Sequence, residues 1–220
     1  MVKRNQRFII GTGVLGAGLI AAASIATMIG AGTSDAVIHD NYTHYNTAGE
    51  LLRPTDYRSW VFVGSPVTPN DMNNGKAAFP EFHNVYIDPA SYRHYIETGK
   101  WREGTILVKE LTNIGTKQAV SGKGYFQGDF TGLEATVKSA EHFKDEPGNW
   151  AYFSFSNPDK GGNLKASAAA FPTGSCNSCH GAAAQDDFVF TKHYPVLRAA
   201  KNAKSTPENS ASRKMMMHKP

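Results

Sequence analysis

Cysteine is almost absent from this chain, whose 220 residues include only Cys176 and Cys179. A fold held together by several disulfides is therefore excluded. A single bond between these two residues would close too short a loop to constrain the unfolded chain appreciably. A structural zinc site needs a second pair of ligands, and no other cysteine can contribute to one. Disulfide and zinc chemistry are thus poor explanations for the pair.

A strong excess of one charge is also missing. The chain has 23 lysine and arginine residues against 19 aspartate and glutamate residues, which gives a formal net charge of +4. Nucleic-acid-binding domains concentrate basic residues on one face, and this mild, scattered excess does not predict such a surface. We therefore expect no nucleic-acid partner. The length favours one domain with additional ends, and a domain of that size can bury a core.

The N-terminus has the order of an export signal. Lys3, Arg4 and Arg7 precede an uncharged stretch over 8–32, and small polar residues follow it. The uncharged stretch is also long enough to span a bilayer, although it is rich in glycine and alanine. We interpret 1–36 as a signal peptide or an N-terminal membrane anchor. In either case the functional domain, 37–201, leaves the cytoplasm.

The two cysteines belong to the run Cys176-Asn177-Ser178-Cys179-His180, which is the attachment pattern of a c-type haem. The two thiols add to the vinyl groups of one porphyrin, and the adjacent histidine reaches the iron. A thioredoxin-like redox pair is the competing interpretation, but it requires a βαβ context that does not surround this motif. The sequence therefore predicts one haem c, bound covalently through Cys176 and Cys179, with His180 as the iron ligand.

Methionine is scarce where a second iron ligand is needed. Small electron-transfer cytochromes usually place a methionine ligand downstream of the motif, but the methionines after His180 are Met215 to Met217. They lie in a polar tail, 202–220, that we predict to be disordered. Met72 lies in a loop rich in glycine, asparagine and proline. These positions predict an iron with one open side, which favours chemistry on a small molecule over simple electron transfer. An electron carrier remains an alternative.

Local patterns predict an α+β fold, a single haem domain with a mainly antiparallel β-sheet and a few short helices. Asp88 and Pro89 form a helix start, and that helix should stop at Gly99. Short helices are expected around the haem motif and from Thr191 to Lys201. Strand-forming residues bounded by turn signals occupy 57–63, 82–87, 105–112, 124–130, 133–137 and 150–155.

Several longer stretches, in this order, resemble the cytochrome P460 family. The similarity runs from about Leu51 to Lys201 and includes the haem motif. The matching stretches are Tyr57-Arg58-Ser59-Trp60, Val67-Thr68-Pro69-Asn70, Val85-Tyr86-Ile87-Asp88-Pro89, Gly104-Thr105-Ile106-Leu107-Val108-Lys109-Glu110-Leu111, Gly132-Leu133-Glu134-Ala135, Asp145-Glu146-Pro147-Gly148-Asn149-Trp150 and Phe190-Thr191-Lys192-His193-Tyr194-Pro195-Val196-Leu197-Arg198.

The resemblance implies a homodimeric periplasmic enzyme that oxidises hydroxylamine, through an iron-nitrosyl intermediate, to nitrous oxide or nitric oxide. It implies a third covalent link to the haem from a lysine, which matches Lys109. A distal carboxylate that assists proton removal matches Glu134. Hydroxylamine and nitric oxide are then the small-molecule ligands, and a redox partner cytochrome takes the electrons.

The residues alone allow plainer interpretations. Lys109 shares a strand face with Leu107 and Leu111, where a lysine at a sheet edge could extend into solvent. Glu134 alternates with apolar neighbours, which suits a solvated face. His83 stands where family members can carry arginine. It is either an ordinary strand histidine or, if it lines the pocket, a second proton acceptor with a near-neutral pKa. A relative, the β-sheet cytochrome c′ group, lacks the lysine link and binds nitric oxide without turnover. The presence of both Lys109 and Glu134 argues against that alternative.

Overall fold

An antiparallel sheet of five strands lies at the centre of the domain, in the order β2-β3-β4-β7-β8. Two short pairs, β1 with β9 and β5 with β6, stand apart from it. The strands are β1 Leu51–Leu52, β2 Val61–Gly64, β3 Phe82–Ile87, β4 Thr105–Ile114, β5 Gln118–Ala119, β6 Gly122–Lys123, β7 Gln127–Lys138, β8 Trp150–Ser154 and β9 Ser167–Ala168. The helices are α1 Pro89–Thr98, α2 Thr173–Ala183 and α3 Pro195–Ser205.

The structure is a computed structural model that describes residues 41–157, 163–184 and 186–205. The predicted signal or anchor over 1–36 lies outside these ranges, as do residues 206–220 of the predicted tail over 202–220. Across the described ranges, no helix has both the length and the apolar character needed to cross a membrane.

The two faces of the sheet are covered differently. One face packs against irregular chain and the β1–β9 pair, around Ile106, Val108 and Phe153. The other face packs against the three helices, around Leu107 and Tyr152. Side chains alternate between faces along a strand, so neighbouring residues of β4 enter different environments. The predicted α+β class with a mainly antiparallel sheet is confirmed.

Helix α1 begins and ends where the sequence predicts. The side chain of Asp88 accepts a hydrogen bond from the Ser91 backbone N–H at 2.7 Å, and Pro89 occupies the first turn. Gly99 ends the helix in the left-handed conformation, with φ at 72°. The second carboxylate oxygen of Asp88 also accepts the Ile106 N–H at 3.1 Å. One buried carboxylate therefore fixes the start of α1 to β4.

Three local expectations need correction. The strand predicted over 57–63 begins only at Val61, because Tyr57–Ser59 is a 3₁₀ turn. Consecutive strand residues would point to opposite faces, whereas Tyr57 and Arg58 both donate to Glu110. The helix expected from Thr191 to Lys201 is instead a 3₁₀ turn followed by α3, which continues to Ser205. The strands expected over 124–130 and 133–137 are one strand, β7.

Candidate haem site

The predicted attachment motif lies on α2, which packs on the sheet beside β8. Asn177, between the two cysteines, is buried and donates its side-chain amide to the Trp150 carbonyl oxygen at 2.9 Å. Both thiols are free; Cys176 packs against the apolar cluster on this face, whereas Cys179 is exposed. Two unpaired thiols on one helix, each available for a thioether bond, fit the covalent attachment of a haem.

His180 has the form of a metal ligand. Its Nδ1 lies 2.7 Å from the backbone carbonyl oxygen of Phe188. A carbonyl can only accept, so Nδ1 carries the proton and the lone pair of Nε2 is left for a metal. Burial lowers the pKa of His180, although the Phe188 hydrogen bond acts in the opposite direction. The neutral imidazole that ligates iron is therefore favoured.

Lys109 and Glu134 are brought together by strand pairing. They are direct partners in the β4–β7 register, and Lys109 Nζ lies 2.5 Å from Glu134 Oε2. The side chains are 26% and 29% exposed, so the pair is mostly covered. β4 is the middle strand of the sheet. The interpretation of Lys109 as an edge lysine is therefore wrong, and Glu134 does not lie on a fully solvated face.

The ion pair and the motif share the helix-covered side of the sheet. Burial raises the pKa of the Cys176 thiol, the charge of Glu134 raises it further, and the charge of Lys109 lowers it. The same two charges act on the pKa of His180 in the same senses, since Glu134 raises it and Lys109 lowers it. Electrostatic influence of this kind requires proximity. The structure thus brings all five residues singled out in the sequence, Cys176, Cys179, His180, Lys109 and Glu134, to one region.

The family profile described as cytochrome P460 matches residues 54–191, more than half of the chain. The chain belongs to the cytochrome P460 family. No curated protein matches it. Membership implies a c-type haem, and the free thiols of α2 together with the Nε2 lone pair of His180 are suited to hold one.

In this P460-family domain, His83 lies on β3, on the same face of the sheet as Lys109 of the neighbouring strand β4. It pairs in register with Leu111, two residues after Lys109. Burial lowers the pKa of His83 to about 4, and the charge of Lys109 contributes. This value is well below the near-neutral pKa that would make a proton acceptor, so His83 is uncharged at neutral pH. Its buried Nε2 has no hydrogen-bond partner within the described ranges.

Phe79 covers the ion pair from the loop before β3. Lys109 Nζ lies 5.1 Å from the centroid of the Phe79 ring, which meets His83 edge-on at 6.1 Å. Phe79 therefore lies at the candidate site. Trp150 is fully buried in the core.

An open cavity of about 340 Å³ lies elsewhere, against the loop before β3 and the end of β4. Its lining includes Asp71, Glu81 and Lys117 but none of the five predicted site residues. Because the motif lies on α2 and the ion pair joins β4 to β7 away from this cavity, the residues above and not the cavity form the candidate haem site.

Sequence reasoning missed the segment that contacts His180. Asp187 and Phe188 both have positive φ, at 49° and 66°. A bulky aromatic residue in this conformation is unusual, and the local sequence contains no glycine or asparagine to signal it. The one hint of a turn was the pair Asp186 and Asp187 shortly after the motif. Two acidic residues are equally common in a solvated loop, so they did not predict this turn.

Proposed function

We propose that this protein is an exported, periplasmic haem enzyme that oxidises hydroxylamine to nitric oxide or nitrous oxide. It acts as a homodimer and passes electrons to a partner cytochrome. Membership of the cytochrome P460 family supports the haem chemistry. The observation that carries the proposal is the 2.5 Å pair between Lys109 Nζ and Glu134 Oε2, on the face where α2 packs.

Cys176, Cys179 and His180 hold the haem, which when bound supplies an open coordination position for hydroxylamine and a route for electrons. Oxidation of hydroxylamine also releases protons, and these need an acceptor within hydrogen-bond reach. Glu134 is the carboxylate on this face that can serve, because its partial burial keeps it close to the site while its remaining exposure leaves a path to solvent. Phe79 and the uncharged His83 limit the polarity beside Lys109, the ion-pair partner of Glu134.

Lys109 becomes a nucleophile only after it loses a proton. Glu134 Oε2 is placed to accept that proton at 2.5 Å. Strand pairing fixes both backbones in register, so the amine is held in one place instead of sampling solvent. The pair can therefore hold a deprotonated Lys109 amine in a fixed place and, through Glu134, accept protons in turnover.

The test combines mass spectrometry of the purified haem protein with a hydroxylamine oxidation assay. We expect a haem peptide that joins the Cys176–Cys179 segment to the segment containing Lys109, with a strongly red-shifted reduced Soret band. Lys109→Met should keep the two thioether bonds but lose the third link and the turnover. Lys123→Met, at an exposed lysine of β6, is the matched control and should keep both.

Other outcomes would assign the protein differently. Two thioether bonds only, with nitric oxide binding and no turnover, would place it with the gas-binding cytochrome c′ group. A strong sixth ligand in the ferric spectrum would indicate an electron carrier. Full turnover by Lys109→Met would refute the role of the link.

A further inference from the structure

A strained two-residue turn follows the haem motif. Asp186 and Val189 form an antiparallel bridge, and the Val189 N–H donates to the Asp186 carbonyl at 3.1 Å. The two residues between them, Asp187 and Phe188, both have positive φ. This is the backbone of a type I′ hairpin turn, which strongly favours asparagine and glycine. A phenylalanine in this left-handed region is strained, so surrounding contacts must hold it.

Those contacts come from several elements. The carboxylate of Asp186 accepts from the Tyr95 hydroxyl at 2.6 Å and from Lys201 Nζ at 3.1 Å. Its carbonyl oxygen accepts the Trp101 indole N–H at 3.1 Å. The turn is thereby attached to α1, to the segment after α1 and to α3.

Asp187, the next residue, is held by side chains of β7 and β8. Lys138 Nζ at the end of β7 lies 2.9 Å from Asp187 Oδ2 and also donates to the Gly148 carbonyl at 2.7 Å. The Trp150 indole N–H reaches Asp187 Oδ1 at 3.4 Å. Lys138 therefore joins the turn to the 147–149 segment.

The Phe188 ring fills a space left by two glycines. A Cβ added at Gly148 would lie 2.6 Å from the ring, and one added at Gly181 would lie 3.1 Å from it. Gly148 belongs to the 3₁₀ turn before β8, and Gly181 directly follows His180 on α2. The ring thus sits between the 147–149 turn and the motif helix, and the Phe188 backbone carbonyl accepts from His180 Nδ1.

We propose that the Asp187–Phe188 turn is a positioning device for His180, in which the wedged Phe188 ring holds the Phe188 carbonyl on Nδ1 and so sets the direction and donor strength of Nε2 toward iron. The inference rests on the haem-binding part of the proposed function. A hydrogen bond from the remote nitrogen of a ligating histidine fixes its tautomer and increases its basicity. Phe188 acts through His180 and is a positioning residue, not a catalytic one.

The test is the iron–histidine stretching frequency of the reduced full-length haem protein, measured by resonance Raman, together with the haem midpoint potential. Phe188→Gly suits the positive φ but removes the ring, so the carbonyl is no longer held in place. We expect a lower stretching frequency and a higher potential. Gly148→Ala displaces the ring from another element, because an added Cβ would lie 2.6 Å from the Phe188 ring. We expect it to shift both readouts in the same direction.

Asn74→Gly, at an exposed left-handed residue far along the chain from the motif, is the matched control and should change neither readout. Unchanged frequencies in Phe188→Gly and Gly148→Ala would overturn the proposal. If neither variant folds, the unmodified haem protein decides: the His180 Nδ1 proton should exchange slowly with solvent by NMR, and rapid exchange would overturn the proposal. Neither readout needs hydroxylamine turnover, so failure of the proposed reaction is distinguishable from failure of this inference.

Discussion

Lys109 and Glu110 are neighbours on the central strand, yet their surroundings differ completely. Glu110 is 7% exposed and accepts from the Tyr57 hydroxyl at 2.5 Å, from Arg58 Nε at 2.7 Å and from the Asn84 amide at 3.3 Å. Lys109, on the opposite face, forms one ion pair in the described ranges, with Glu134. Both carry charge, but only Glu110 is enclosed by partners from three directions.

The difference indicates that Glu110 stabilises the fold, whereas Lys109 is available for the proposed chemistry. Removal of Glu110 would leave several donors without an acceptor in a covered site, which is costly. Lys109 and Glu134 satisfy each other and are partly exposed, so one bond can break without leaving a buried network incomplete. We therefore expect substitutions on the Glu110 side to reduce stability, and substitutions on the Lys109 side to reduce activity.

The largest expected effect is on the turnover rate, on the face of the sheet that carries Lys109 and Glu134. Glu134→Gln keeps the side-chain shape but removes the proposed proton acceptor, and the proposed hydroxylamine turnover should fall by about 10²- to 10⁴-fold. Steady-state kinetics of the haem protein measures this. Glu97→Gln, at an exposed position of α1, should leave the rate unchanged. A rate above one tenth of the original in Glu134→Gln would contradict the assigned role.

On the opposite face of the sheet, Glu110→Ala should lower the free energy of unfolding by about 3 kcal/mol, because Tyr57 and Asn84 lose a buried acceptor. The exposure of Arg58 keeps the loss from being larger. Urea unfolding measures it. If the folded fraction of this variant lost turnover as completely as Glu134→Gln does, the division between the two faces would be wrong.

His83 provides a smaller effect that depends on pH. The folded protein holds His83 uncharged down to a pKa of about 4, whereas the usual value is 6.5. Between these values the unfolded chain binds more protons, so the free energy of unfolding should fall as the pH falls through this window. The loss is on the order of 2 kcal/mol after allowance for partial exposure. Urea unfolding at several pH values should show that His83→Leu removes this dependence and that His44→Leu, at an exposed histidine, retains it.

The smallest expected effect tests one bond of the Glu110 network. Tyr57→Phe removes the 2.5 Å hydrogen bond but leaves Arg58 and Asn84 as donors to the carboxylate. The free energy of unfolding should fall by about 1–2 kcal/mol, with turnover unchanged. A loss as large as that of Glu110→Ala would mean that the tyrosine alone carries the network.

Local signals predicted much of the fold. Asp88, Pro89 and Gly99 marked the ends of α1, and β3 has the predicted bounds. The sequence could not locate Lys109 on a central strand, because strand order depends on pairing between distant segments. It could not reveal the Phe188 turn either, since tertiary contacts there override a strong local preference. Glu134 was singled out by resemblance; the alternation of its strand alone pointed to solvent.

Asn177 bears on any attempt to transplant the haem motif. The attachment pattern leaves the two residues between the cysteines unspecified, so a designer would treat them as interchangeable. Here one of them is buried and holds the helix to the sheet through the Trp150 carbonyl, whereas its neighbour Ser178 only bonds back within its own helix. If the run 176–180 is grafted onto another protein, that protein must offer a backbone carbonyl to the Asn177 amide. Without it, the haem would be attached to a helix that is not held against the sheet.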